Sequence, residues 1–392
     1  MRCIVLTLLL LSTAAPSAFA QFKIELGDGR ELTITQAVQA WDVVSFRMNG
    51  SSADTRNDIY LRRGRFGLEG KLRSNVSFNL SVAYDGIGKD SYTPTSGSAN
   101  AGDNRDLFIW DASWIWSHSP EFNIVFGYFR PQVGREQMGS EFYVLSFDKS
   151  LADGLPRLHL LGRSTGRETG VNVGGLLLRD GWSLNYNAGM FDPSSSTIIG
   201  TGRKWSPLLT GRLALSVGDP EMTQYKISYG QGGYGKRNGA TIGVNAARQG
   251  ATVRFSSNAL YGADLLANYG PLDVSAEYDW LRRSTTRFGG STPTTDAVFH
   301  VKAGVYIPIT EDQAIEPTAM FTGERGDDGT DYLSLHSNFY TGASDRDLYD
   351  AGVNWLIDKD RFKINLHVVW GKNYYASVPE FFYLGLGTQM LY

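Results

Sequence analysis

The sequence predicts an all-β chain folded as a transmembrane antiparallel β-barrel of about 16 strands. Three observations carry that expectation. Along most of the 392 residues apolar side chains fall on every second position, the period of a strand with one apolar and one polar face. After Leu11 no run approaches the roughly 20 apolar residues that a membrane helix needs, and the mean hydropathy is −0.23. Short and long connections alternate along the chain, as they do in barrels that turn tightly on one side of a membrane and loop out on the other.

The chain opens with a basic start, Met1-Arg2-Cys3, a short apolar run from Ile4 to Leu11, and Ala18-Phe19-Ala20. This describes a secretory signal over residues 1–20, with cleavage after Ala20 and the barrel occupying residues 21–392. Cleavage would remove Cys3, the only cysteine, so neither a disulfide nor a thiolate metal site is expected. The 37 Lys and Arg against 40 Asp and Glu leave the chain slightly acidic, which argues against nucleic acid as a partner. An exported chain with 12% aromatics and 45 glycines has the composition of an outer-membrane barrel.

A first strand is expected from about Leu32 to Met48, followed by a polar loop from Asn49 to Asn57. The next two runs are the clearest. Tyr60, Gly64, Phe66, Leu68, Gly70 and Leu72 share one parity, broken only by Arg62, and Arg63, Arg65, Glu69, Lys71 and Arg73 take the other. Val76, Phe78, Leu80, Val82 and Tyr84 then alternate with polar residues, and the tight turn at Arg73-Ser74-Asn75 makes the pair an antiparallel hairpin. Gly86 to Arg105 has loop composition. Trp110, Ala112, Trp114 and Trp116 share a parity that is expected to face lipid, and Phe122 to Tyr128 forms the next strand.

The longest interruption, the third loop, runs from about 131 to 167. Strands at Val171–Leu177, Trp182–Met190 and Leu209–Val217 come next, and a ninth is expected at Tyr225–Tyr229. The glycine-rich stretch Gly230 to Asn258, including Ala240 to Ala247, reads as a long loop, although Ala240 to Ala247 as a strand would raise the count to 17 or 18. Thereafter strands end and restart at Tyr269/Leu272, Ile307/Ala314 and Ile357/Arg361, with long loops near Ser284–Asp296 and Arg325–Asp347. The last strand carries Leu384, Leu386, Thr388, Met390 and Tyr392 on one parity. An even strand number puts both termini on the periplasmic side, and about 16 strands leave an aqueous channel.

Several segments are also similar to a known family. Ile59-Tyr60-Leu61-Arg62-Arg63-Gly64-Arg65-Phe66-Gly67-Leu68-Glu69-Gly70 resembles the Arg-Arg signature near the start of the phosphate-selective porin O and P family. Gly127-Tyr128-Phe129-Arg130-Pro131 with Arg135-Glu136 resembles that family's approach to its third loop, and Gly162-Arg163 with Arg167-Glu168-Thr169-Gly170-Val171 its exit. The resemblance spans essentially the whole chain after residue 20 and implies a trimeric 16-stranded channel whose third loop folds inward. It also implies anion selectivity.

An anion pathway needs cations that converge at the constriction, where confinement strengthens their field. The candidates are Arg63, Arg65, Lys71, Arg73 and Arg212 on lumen-facing parities, Arg130 and Arg135 at the start of the third loop, and Arg157, Arg163 and Arg167 at its end. Lumen-facing carboxylates, among them Glu69, Asp85, Asp111, Asp264, Glu277 and Asp279, leave open the reading that the arginines merely solvate the wall. Arg62, on the lipid parity, is expected to snorkel at the rim. Gly230-Gln231-Gly232-Gly233-Tyr234-Gly235-Lys236 approaches a nucleotide P-loop, but Arg237 stands where Ser or Thr is needed. The five histidines lack metal-ligand spacing and pair with no particular serine.

The expected function is passive diffusion of small hydrophilic solutes, anions such as phosphate above all, by a homotrimer embedded in outer-membrane lipid, without cofactor or metal. The alternatives are a general porin with little charge preference and, from another class, a closed barrel acting as adhesin or hydrolase.

Overall fold

The computed structural model describes residues 22–49, 52–90, 92–95, 107–162, 165–193, 205–230, 232–252, 255–285, 293–326, 345–375 and 378–392. The expected signal, residues 1–20, lies outside them, as does Arg163.

A short strand, β1 (Phe22–Gly27), precedes the barrel. The wall then runs β2 (Arg30–Asn49), β3 (Ser52–Arg73), β4 (Val76–Ile87), β5 (Phe108–Ser119), β6 (Phe122–Phe129), β7 (Glu168–Arg179), β8 (Trp182–Phe191) and β9 (Leu208–Gly218). It continues with β10 (Gly239–Gln249), β11 (Phe255–Tyr269), β12 (Leu272–Thr285), β13 (Pro293–Val305, prolonged by Ile307–Pro308), β14 (Ala314–Arg325), β15 (Asp345–Asp358), β16 (Phe362–Tyr375) and β17 (Val378–Leu391). Consecutive strands pair antiparallel, and β17 returns to β2, closing a 16-stranded barrel. At the seam Gln36 and Tyr392 exchange backbone hydrogen bonds of 2.8 and 2.7 Å. β1 folds back on the part of β2 that lies beyond β17, pairing Phe22 with Ile34.

The burial pattern is that of a soluble protein turned inside out. On β9, Leu209, Leu213, Leu215 and Val217 are exposed, while Thr210, Arg212 and Ser216 are buried. A continuous exposed apolar face of this kind is stable only against hydrocarbon, and closure pairs every strand edge that lipid could not solvate.

The strand count agrees with expectation, but one strand is exchanged. Residues Tyr225–Tyr229 are not a wall strand, and β10 occupies part of the stretch read as a loop. That expectation required every connection on the side of the termini to be short. After β9 that connection runs over residues 219–238, whereas β10 and β11 on the opposite side are joined by residues 250–254. The loop expected at Asn49 to Asn57 is likewise mostly ladder, with Asn49 paired to Ser52 and Val44 to Asn57, because β2 and β3 stay paired to their tips, β3 running past the end of its ladder with β4 at Leu61.

Away from the strand ends, two bulges interrupt the period of two among the described residues. Between β2 and β3, Gln39 faces Arg63 and Ala40 faces Leu61, so Arg62 is the extra residue. Between β4 and β5, Ser81 faces Asp111 and Val82 faces Ile109, so Trp110 is extra. A bulge shifts the parity of the residues beyond it and re-aims a side chain. Arg62 and Tyr60 are therefore buried inside instead of facing lipid, and Trp110 parts from Trp114 and Trp116, which stay on the outer face.

Candidate functional site

The third loop leaves β6 at Arg130, forms α1 (Arg135–Met138) and α2 (Leu151–Leu161), and rejoins the wall at Glu168. Gly162, at φ 64° in the left-handed region, ends α2. The loop lies in the lumen, fastened to the far wall. Arg135 donates from Nε to Asp264 of β11 at 2.8 Å and pairs with Glu221, and Arg212 of β9 shares Asp264. Glu136 pairs with Lys302 of β13 and donates its backbone N–H to Glu277 of β12 at 2.7 Å. The Phe147 N–H reaches Asp350 at 2.8 Å, Asn354 donates to the Leu145 carbonyl at 2.8 Å, and the Lys363 ammonium donates to the Phe142 and Val144 carbonyls, both at 3.2 Å. Apolar packing fixes the near end of the loop, with Phe147 against Trp41 at 4.3 Å between ring centroids.

A cavity of about 410 Å³ lies between the loop segment from Met138 to Tyr143 and the wall β2–β5. Arginines crowd its edge. Arg65 donates to Asp85 at 3.0 Å and to Glu141 at 2.9 Å, and Arg130 donates to Glu141 at 2.8 Å. Arg62 and Arg63 hold Asp148 at 2.9 and 2.6 Å, so the bulge that turns Arg62 inward completes a two-arginine grip on the loop. Arg167 reaches Asp111 at 3.3 Å. Trp110 stands between two of these cations, with Arg167 at 3.5 Å and Arg65 at 3.9 Å from its ring centroid, so the second bulge supplies the surface on which they stack.

Burial pushes the Glu141 carboxyl upward, but the charges of Arg130, Arg65 and Arg167 outweigh it and hold the group well below the usual carboxylate range. Burial pulls the Lys149 ammonium down to about 7 against the attraction of Asp153. That ammonium donates to the Glu136 and Gly139 carbonyls and to Asp153, at 2.6, 2.7 and 2.7 Å.

Of the residues expected at the site, Arg63, Arg65, Arg130 and Arg167 come together around Glu141 and Asp148. Arg157 is buried within the loop, paired with Asp153. Arg135 and Arg212 sit across the lumen as anchors on Asp264. Lys71 pairs with Glu31 at 3.1 Å near the β3–β4 turn, and Arg73 adjoins that turn, both outside the constriction. Arg62, Trp110, Glu141 and Asp148 belong to the site although the sequence pattern did not mark them as candidates. For Arg62 the signal was its break in the apolar parity, whereas Trp110 continues the parity of Trp114 and Trp116 and carries none. For the loop carboxylates no local signal exists.

A sequence comparison with curated proteins returns no match. Among solved structures, OmpF of Salmonella typhi in complex with daunomycin aligns at TM-score 0.56 and 12% identity, covering 94% of this chain and 100% of that one. The outer membrane channel DcaP of Acinetobacter baumannii aligns at 0.56 and 14%, covering 94% and 99%. The anion-selective porin of Comamonas acidovorans aligns at 0.54 and 9%, covering 93% and 100%. At these identities the likeness concerns the fold. The family model described as phosphate-selective porin O and P matches residues 33–283, well over half the sequence. The chain belongs to that porin family and is a multi-pass β-barrel of the bacterial outer membrane.

Proposed function

We propose that this outer-membrane channel passes small hydrophilic solutes by passive diffusion and prefers anions, inorganic phosphate among them. The observation that supports the preference is the gathering of Arg65, Arg130, Arg167 and Arg361 on the lining of one narrow cavity, against Glu69, Asp111 and Glu141. In a confined, partly desolvated space such an excess lowers the barrier to an anion, and exchange among several weak contacts lets it leave again. The family's description and the anion selectivity of the Comamonas acidovorans porin agree with this reading.

Arg65, Arg130 and Arg167 already carry carboxylates, so an entering phosphate competes with Glu141 and Asp111 for their donors. This favours weak, saturable passage over tight capture, and it keeps a second reading in play, a general porin with modest charge preference. The export signal at residues 1–20 and a homotrimeric assembly belong to the same proposal, the latter supported by a Vibrio cholerae OmpT structure described as a trimer form, which aligns at TM-score 0.52. The test is the reversal potential of the purified protein in a planar bilayer across a potassium chloride gradient, then titration of the current with phosphate. Anion preference with saturable block supports the proposal, conductance without either leaves a general porin, and absence of conductance overturns both.

A further inference from the structure

The connection from β9 to β10, residues 219–238, turns back into the barrel from the side of the termini. Its central stretch bends at Ile227 and alternates in burial from Tyr225 to Tyr229. Tyr225 donates its hydroxyl to Asn187 at 2.7 Å and accepts from Asn172 at 3.0 Å; the Ile227 carbonyl accepts from Gln132 of the third loop at 3.1 Å. Tyr229, 3% exposed, hydrogen-bonds Asn185 and bridges to Gly139, beside the segment of the third loop that narrows the passage. Between these anchors Lys226 and Ser228 are exposed. Ser228 and Ile227 line the same cavity as Arg65, Trp110 and Arg167, and the charge of Lys226 bears on Glu69 of β3. The period of two at Tyr225, Ile227 and Tyr229 is thus real, spent on fastening a strap across the lumen instead of on a wall strand.

We infer that this strap is a second specificity-determining element, forming the exit lip of the cavity on the periplasmic side, where Lys226 adds a cation to the path of a departing anion. The inference rests on the porin reading. It is distinct from the third loop because the strap reaches the passage from the opposite side and is also tied to the wall, through Gly233 N–H to Asp273 at 3.1 Å and Tyr234 to Asp360.

The experiment uses the full-length protein in planar bilayers, comparing Lys226→Glu and a Cys3→Ser/Ser228→Cys variant with wild type. Lys226→Glu should shift the reversal potential toward cations by a factor of about two in permeability ratio and make the current–voltage curve asymmetric. The cysteine variant should lose about half its conductance when a sulfonate-bearing methanethiosulfonate reagent is added from one side, with labelling verified by mass. A wild type that conducts while both variants stay unchanged, with complete labelling, overturns the inference and leaves the porin reading intact. A wild type that does not conduct overturns the porin reading itself.

Discussion

The two sides of the lumen hold similar charges and put them to different use. On the side of β9–β16, Arg135, Arg212, Lys302 and Lys363 are fully buried against Asp264, Glu136 and carbonyls of the loop they fasten. On the side of β2–β5, Arg65, Arg130 and Arg167 also have carboxylate partners, but they edge an open cavity. A lumen-facing charge is therefore a conduction candidate only where the third loop leaves space, and elsewhere it is an anchor. Removing one partner of a buried ion pair strands the other charge, whereas removing a cation beside an open passage changes the field that a solute meets.

The largest expected effect is on the packed side. Arg135→Ala leaves Glu221 and part of Asp264 without their cation, and should cost about 3–5 kcal/mol. Urea unfolding in detergent would measure this, and single-channel records should become noisy as the loop loosens. A stable, quiet variant would break the distinction between the two sides. Next, Arg65→Ala on the open side should reduce anion over cation permeability by roughly a factor of two to ten, at the low end of what local fields do, read as a reversal-potential shift. Trp110→Ala should weaken the same preference less, since it removes a stacking contribution to Arg65 and Arg167 of about 0.5–2 kcal/mol.

A smaller effect sharpens the comparison through pH. Lys149 lies within the loop, between the two sides, and titrates near 7 because of its burial. Anion preference should therefore fall as pH rises from 6 to 8.5, and Lys149→Gln should flatten that profile. The stability sign comes from linkage. Between about 7 and the ordinary lysine value of 10.5 the unfolded chain keeps a proton that the folded chain has released, so stability rises with pH across that window. The smallest effect is at Lys71, half exposed beside Glu31. Lys71→Ala should change stability by less than about 1 kcal/mol and leave the reversal potential where it was.

Much of the wall was legible because lipid outside and water inside impose a period of two, and hairpins such as Phe66–Val82 declare their register through a tight turn. Arg62 and Trp110 were misassigned for the same reason, since a period-two reading cannot see a residue that the neighbouring strand does not match. The exchange of Tyr225–Tyr229 for β10 came from trusting connection length, when the strap had spent its alternation inside the barrel. The site itself was half legible. Arginine clustering marked the candidates, but Arg135 meets Asp264 across 129 residues of chain and Glu141 meets Arg65 across 76, pairings that depend on where the loop lands.

The bulges have a consequence for how such a wall changes over generations. Arg62 has no partner in the ladder with β2, and Trp110 none in the ladder with β4. Deleting Trp110 would leave two regular neighbours whose remaining side chains already face the correct way, whereas Arg62 stands in unbroken register with β4, between Leu61 facing Ile87 and Arg63 facing Asp85. Gain or loss of a single codon at Trp110 therefore adds or removes one lumen side chain without turning a lipid-facing residue of β4 or β5 inward. The barrel can edit its passage in steps of one residue while its outer surface stays the same.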